Sequence, residues 1–165
     1  AKVGNRIPIA CLATKEAFLL KLMTDRNKAG VYNLKLTKNN DSSYTGVRFL
    51  YGKHKIRIIN ENNHKEAKIN LVLNVELEGL PDWMTVENEK DFKTIKDELQ
   101  KSISKEATTL LKNFQAKNVD PIGMGRMHKI NHHKWSEDHF YKNIYPKMTF
   151  NVTTNIIIRQ AGVGK

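Results

Sequence analysis

The segment INLVLNVELE, residues 69–78, decides the fold. Its apolar residues alternate with polar ones, which is typical of a strand that has one face on a core and the other in water. A second pattern begins near Glu89, where apolar residues recur at steps of three and four over about 25 residues and predict a helix about 37 Å long. The stripe on this helix consists of Phe92, Ile95, Leu99, Ile103, Ala107, Leu110 and Phe114.

This regular stripe has two interpretations. It is either the core face of a helix that packs on the sheet of its own domain, or the seam of a coiled coil with a partner. Three neighbouring segments predict strands with an apolar face that nothing else in the sequence covers. They favour packing of Phe92, Ile95, Leu99 and Ile103 against the apolar residues of 69–78.

The other segments give weaker signals. Thr14 is a candidate helix N-cap, and Asp120 followed by Pro121 is typical of an N-cap and the first position of another helix. The remaining assignments, in chain order, are a strand at 7–13, a helix after Thr14, a strand at 31–37, a loop at 39–43, strands at 44–51 and 53–59, a hairpin turn at 60–64, a helix from 121 to 133, a short helix at 135–144 that Tyr145-Pro146 ends, and a strand at 148–158.

These elements predict an α+β domain: an antiparallel β-sheet packed against a long α-helix, with additional short helices. The 165 residues fit one domain, residues 1–165, which is long enough to bury a core without disulfides or metals. The composition, 39% hydrophobic and 27% charged, is that of a folded chain.

Cysteine usage and hydropathy exclude some classes of protein. The single cysteine, Cys11, rules out an intrachain disulfide framework. Pro8-Ile9-Ala10-Cys11 has a faint likeness to a lipoprotein cleavage box, but no hydrophobic stretch precedes it, so we expect Cys11 to be a buried strand residue. No run of about 18 apolar residues is present to span a bilayer.

The net charge of +11 and the isoelectric point near 9.7 raise two hypotheses, contact with nucleic-acid phosphates or with an anionic lipid surface. The basic residues are scattered: Lys53, Lys55 and Arg57 alternate along one strand, and lysines are spread over residues 90–117. No four basic residues are adjacent, and basic and aromatic residues are not interleaved. We therefore expect a membrane-facing or solvated basic surface and no nucleic acid.

We find no catalytic constellation. No G-x-S-x-G elbow or cysteine signature is present, and Gly123-Met124-Gly125 lacks the Lys-Ser or Lys-Thr of a phosphate loop. These glycines are expected to allow a turn or close packing, with at least one at positive φ or against other atoms. The carboxylate pairs Asp97-Glu98 and Glu137-Asp138 predict solvated surface, because adjacent residues on a helix point in different directions.

Histidines and tryptophans provide the last candidates. His128 and His132 are four residues apart, as zinc ligands on one helix face would be, and His133 and His139 lie nearby. The segment lacks the glutamate of an H-E-x-x-H site, so we expect solvent-facing or structural histidines and no metal. Trp83 and Trp135 are expected to anchor the core, the alternative being a pocket or an interface.

The last third of the chain resembles a known family. Asp120-Pro-Ile-Gly-Met-Gly125, then Trp135, then Tyr145-Pro146, and then the strand that ends Ile158-Arg159 before Gly162 are similar to the closing signature of the Ger(x)C family. These proteins are C subunits of the germinant receptors of endospore-forming bacteria. The upstream order of short helix, paired strands, long strand and lysine-rich helix agrees as well.

The resemblance implies a function. Members of that family are lipoproteins, anchored through a cysteine near the start of the precursor to the outer face of the spore's inner membrane. They act with two integral membrane subunits, of A and B type. The chain resembles the C-terminal domain, so the anchoring cysteine would lie upstream of Ala1 and is not Cys11. We expect a non-enzymatic domain without catalytic residues, cofactor or metal; the alternative is a stand-alone basic domain that binds a ligand or nucleic acid.

Overall fold

The computed structural model describes residues 14–24 and 30–159. Its sheet has four strands, which lie side by side in the order in which they follow one another along the chain. The strand predicted at 7–13 and the predicted environment of Cys11 lie outside the described residues. The elements are α1 (Thr14–Thr24), β1 (Gly30–Lys38), β2 (Asp41–Glu61), β3 (His64–Glu78), α2 (Glu89–Ala116), α3 (Met124–Ile130), α4 (Glu137–His139), a π-helical turn (Phe140–Ile144), a 3₁₀ turn (Tyr145–Lys147) and β4 (Thr149–Ile158).

The first three strands form an antiparallel meander with two tight turns. Asn39 and Asn40 have φ values of 49° and 70°, and Asn62 and Asn63 have values of 50° and 63°. Two consecutive left-handed residues are what a two-residue hairpin turn requires, and asparagine tolerates that conformation better than most residues. The loop predicted at 39–43 is therefore only two residues long, since β2 already begins at Asp41.

β2 is one strand of 21 residues, although the sequence indicated two pieces. The pairing with β3 shifts register between Phe49 and Tyr51, so one extra residue bulges out of the ladder. The bulge changes which residues face the core. Phe49 is buried before it, and the even-numbered Ile56 packs on the same core after it. A β-bulge thus explains why the alternation along 44–59 looks interrupted.

The last strand departs from the predicted antiparallel sheet, because β4 pairs with β3 in parallel. The reason is the connection: a helix of 28 residues runs back along the sheet and returns the chain to the end at which β3 began. A strand that starts there must run in the same direction as β3. The α+β class stands, with a mixed sheet.

The core lies between the sheet and α2. Leu73 and Leu99 are both completely buried, as are Ile69, Ile95 and Ile103. This is the predicted packing of the 69–78 strand on the helical stripe, with Phe92 and Leu77 only partly buried at its margin. The stripe is therefore the core face of α2. At the start of the helix, the side chain of Asn88 accepts hydrogen bonds from two backbone N–H groups of the first turn.

The helix α1 packs on this core beside β1 and α2. Lys15 forms an ion pair with Glu106 of α2, with 2.5 Å between Nζ and Oε1. The hydroxyl of Tyr32 donates to the other oxygen of Glu106 at 2.8 Å and lies 2.6 Å from Ser102 Oγ. Burial, followed by the hydrogen bond to Glu106 and the charge of that residue, raises the pKa of Tyr32. These contacts connect the first helix, the first strand and α2.

Candidate functional site

The signature residues from Asp120 to Pro146 lie in the segment between α2 and β4, where α3 and the turns that follow it pack beside the end of α2. Asp120 is the centre of this group. Its Oδ1 atom accepts hydrogen bonds from the backbone N–H groups of Gly123 and Met124, at 2.9 and 2.8 Å. Its Oδ2 atom accepts from the backbone N–H of Gly125 at 2.8 Å and from the hydroxyl of Tyr141 at 2.9 Å. One carboxylate thus binds the start of α3 to the turn that follows α4.

This geometry corrects the predicted helix at 121–133. Gly123 has a φ of 82°, which is left-handed and interrupts the chain after Pro121, so α3 begins only at Met124 and ends at Ile130. Asp120 still provides the acceptors for the first N–H groups of the helix, as a capping side chain does, but from four residues before it. The side chain of Asp120 therefore does accept hydrogen bonds from the start of a helix, as predicted, but the residue at the N-cap position is Gly123.

Two glycines make this arrangement possible. At least one of the pair was predicted to have a positive φ or to lie too close to other atoms for a side chain, and the positive φ of Gly123 confirms this. Gly125 is buried, and a Cβ atom on it would collide with the hydroxyl of Tyr141. The absence of a side chain at 125 therefore allows Tyr141 to reach the Asp120 carboxylate.

We expect Asp120→Ala to lower the free energy of unfolding by about 2 kcal/mol, because it removes a helix cap and the acceptor of the Tyr141 hydroxyl. Urea denaturation of the 165-residue chain measures the change. Asp120→Asn is the matched control: it keeps one acceptor oxygen and should lose less stability than the alanine variant. Equal stability of Asp120→Ala and the unchanged chain would contradict the role given to this carboxylate.

Around Asp120 lies an aromatic cluster. Phe140 is completely buried, with its ring centroid 4.9 Å from that of Tyr141 and 5.4 Å from that of Trp135. Tyr145 is also buried, and its hydroxyl donates to the carbonyl of Val119 at 2.6 Å. Burial, and then the nearby charge of Asp120, raises the pKa values of Tyr141 and Tyr145. Their hydroxyls stay protonated and serve as hydrogen-bond donors.

Trp135 and Tyr145 of the signature therefore belong to the packing of this cluster, whereas Pro146 is exposed. Trp83, at the other position considered, is also partly buried against the core. Both tryptophans are core anchors. The helix predicted at 135–144 is a short α-helix, α4, that continues into the wider π-helical turn Phe140–Ile144. The tighter 3₁₀ turn Tyr145–Lys147, which contains Pro146, follows and leads into β4.

One histidine of the cluster, His128, is buried, and its role is to pack against other rings. His128 is 6% exposed, and its ring stacks on that of His132 with centroids 3.8 Å apart. The prediction that both lie on one helix face was wrong, because α3 ends at Ile130 and His132 lies beyond it; the two rings are neighbours through stacking. Neither ring nitrogen of His128 has a hydrogen-bond partner, and burial with the positive charges of His132 and Lys65 lowers its pKa to about 4. His133 and His139 are exposed.

Within 14–24 and 30–159, no three histidine, cysteine, aspartate or glutamate side chains converge as a metal site would require. The pairs Asp97-Glu98 and Glu137-Asp138 are exposed, as predicted. An open groove of about 540 Å³ lies between α2 and β4, lined by residues that include Ser104, Lys105 and Asn151.

The end of the signature fixes the end of β4. Arg159 donates from its backbone N–H to the carbonyl of Val75 at 2.7 Å and from Nε to Asn74 Oδ1 at 3.0 Å. Its guanidinium also reaches the hydroxyl of Tyr51 at 3.2 Å. The arginine therefore joins the last strand to β3 and β2. Sequence reasoning had no signal for this role, since it depends on which strands become neighbours.

The basic surface is divided between the sheet and the helices. Lys53, Lys55 and Arg57 are exposed along β2, while Arg48 on the same strand pairs with Glu76 and Glu78 of β3. The exposed face of α2 carries both signs of charge. No helix in the described part of the chain is long and apolar enough to cross a membrane.

Comparison with known proteins gives a consistent result. The family model described as spore germination B3/GerAC-like, C-terminal, matches residues 9–162. The spore germination protein GerQC of Bacillus cereus is 28% identical over 149 residues, which cover 90% of this chain and 41% of that protein. The crystal structure of the GerBC protein superposes with a TM-score of 0.68 at 15% identity, over 89% of this chain and 46% of that one.

The chain thus spans less than half the length of either protein. The likeness to GerBC confirms the fold, and the family model covers nearly all of the elements described above, including every residue of the signature up to Gly162. The chain belongs to the family of spore germination B3/GerAC-like C-terminal domains.

Proposed function

We propose that this chain is a non-enzymatic domain of a germinant-receptor C subunit that acts in spore germination. The observation that carries this proposal is the match of the family model to residues 9–162, together with what the signature residues do. Asp120, Gly123, Gly125 and Arg159 are engaged in internal hydrogen bonds, turns and close packing. These contacts stabilise the backbone of the domain, and a domain that acts by docking to partners needs a surface of fixed shape.

The proposed setting is a lipoprotein on the outer face of the spore's inner membrane, held by a lipidated cysteine upstream of Ala1. Its proposed partners are the integral membrane A- and B-type subunits. A tether raises the local concentration of weakly binding surfaces, so such a domain needs neither a deep pocket nor high intrinsic affinity. The open groove beside β4 and the largely polar surface of the domain agree with this mode of action.

The test is genetic. In the spore former that encodes this chain, we expect deletion of the domain, or replacement of the upstream lipidated cysteine, to abolish the nutrient response of its receptor. The response is measured as loss of spore refractility after addition of each nutrient. The strain should lack other C-subunit genes, so that no paralogue compensates.

A matched control separates loss of the domain from loss of the receptor. A chain carrying Lys101→Glu, an exposed position on α2, should restore germination to the deletion strain if it accumulates normally. Normal germination of the deletion strain with every nutrient would contradict the proposal. Steep salt-dependent binding of the purified chain to duplex DNA would instead support the basic-domain alternative.

A further inference from the structure

The end of α3 exposes an apolar side chain. Ile130, the last residue of the helix, is 78% exposed, more than any other large hydrophobic side chain in residues 14–24 and 30–159. A single exposed isoleucine is common on protein surfaces and by itself indicates nothing. Its surroundings distinguish this one.

The charged side chains nearest to Ile130 along the chain are basic. We define the α3 tip as residues 126–134. Its exposed side chains include Arg126, Lys129 and Lys134, and no aspartate or glutamate occurs between positions 121 and 136. The acidic residues nearest in sequence are Asp120, whose carboxylate is occupied by backbone N–H groups, and the exposed Glu137 that follows.

The buried His128 connects the tip to the β2–β3 hairpin. Its ring stacks on that of His132, and after burial the charge of Lys65 in the hairpin is among the causes that lower the pKa of His128. Lys65 therefore brings a further basic side chain to the neighbourhood of the α3 tip.

The tip is also held firmly. The Asp120 carboxylate fixes the first turn of α3, and His128 packs between His132 and the buried Phe140, with its ring centroid 5.0 Å from that of Phe140. An apolar side chain on a backbone segment that is already fixed loses little conformational entropy when it is buried at an interface. The orientation of Ile130 is thus set before any contact is made.

We propose that the α3 tip is the surface with which this domain contacts an anionic phospholipid bilayer, with Ile130 entering the interfacial region and Arg126, Lys129 and Lys134 at the lipid phosphates. The inference rests on the proposed function, which places the domain beside a membrane. A basic rim around an apolar residue is the combination that interfacial attachment uses. Phosphates of a duplex would attract the same cations but would give an exposed isoleucine no apolar environment, so the lipid surface is the better complement.

The test uses the purified 165-residue chain and vesicles of phosphatidylcholine with or without phosphatidylglycerol. We expect binding only to the phosphatidylglycerol vesicles, weakened as salt rises to about 0.15 M. The double variant Lys129→Glu/Lys134→Glu should bind at least about 10-fold more weakly, because each basic residue at the surface contributes roughly a factor of five to the partition coefficient. Lys93→Glu/Lys101→Glu on α2 makes the same change in net charge and should have a much smaller effect.

Two substitutions at position 130 test the apolar contact separately. Ile130→Ser leaves the charge unchanged and should weaken binding several-fold. Ile130→Trp should show a blue-shifted emission component only with phosphatidylglycerol vesicles. All these positions are exposed, so an unchanged melting temperature serves as the check on folding.

Three outcomes would overturn the proposal: equal weakening by the tip and α2 double variants, no effect of Ile130→Ser together with no shift for Ile130→Trp, or tighter binding to duplex DNA than to vesicles at the same salt. None of them touches the receptor role, which the spore experiment tests independently. Conversely, normal germination of the deletion strain would remove the receptor role and leave vesicle binding as measured.

Discussion

Leu99→Ala in α2 is expected to lower the free energy of unfolding by about 2 to 5 kcal/mol, and Leu73→Ala in β3 by a similar amount. Both side chains are completely buried, one on each side of the interface between helix and sheet. Truncation to alanine removes apolar contacts and leaves a cavity that the close-packed surroundings fill only in part. Urea denaturation, with melting temperature as a second readout, measures the loss.

Lys101→Ala is the matched control for the helix, since it lies on the exposed face of α2 and should change stability by no more than about 0.5 kcal/mol. If Leu99→Ala or Leu73→Ala behaved like this control, the helix would not pack on the sheet as described. The two leucine variants together thus test the central layer contact of the fold.

The second large effect is a dependence of stability on pH through His128. Its pKa is about 4 in the folded chain, against an ordinary value of 6.5. Between these two pH values His128 is therefore protonated in the unfolded chain and neutral in the folded chain. The penalty on stability begins as pH falls below 6.5 and is complete below pH 4, where it reaches roughly 3 kcal/mol.

The measurement is the free energy of unfolding at pH 7 and at pH 4, for the unchanged chain and for His128→Leu. Acid also protonates carboxylates in both proteins, so the informative quantity is the difference between them. We expect the unchanged chain to lose roughly 3 kcal/mol more than the variant over this range. Parallel losses in the two proteins would show that His128 is not the group that resists protonation.

Local patterns predicted the elements of the fold better than their arrangement. Strict alternation at 69–78 and the stripe on α2 identified the two surfaces of the core, because burial on one face imposes a period that sequence shows directly. The parallel pairing of β4 was missed, as its direction depends on where the α2 connection delivers the chain. The bulge after Phe49 was missed too, since it is a property of the pairing between two strands.

The signature region shows the same division. The capping chemistry of Asp120 was visible in the residue types alone, as was the need for a turn or close packing at one of the two glycines. The reason for a glycine at position 125 could not be seen in the sequence, because the atom that excludes a side chain there is the hydroxyl of Tyr141, a residue in a later segment. The burial of His128 likewise depends on which aromatic residues surround it, and spacing alone placed it only on a helix face.

The parallel pairing of β3 with β4 has a consequence for the order of folding. Partners such as Ile69 and Val152 lie on opposite sides of α2 in the chain, whereas β1, β2 and β3 are joined by turns of two residues. On the ribosome the meander and α2 can associate early, but one edge of β3 stays unpaired until the residues of β4 have been synthesised. An open edge next to an apolar face invites pairing with other chains. Until β4 is added, this open edge exposes the nascent chain to aggregation, and a chaperone that shields β3 at that stage would raise the yield of folded protein.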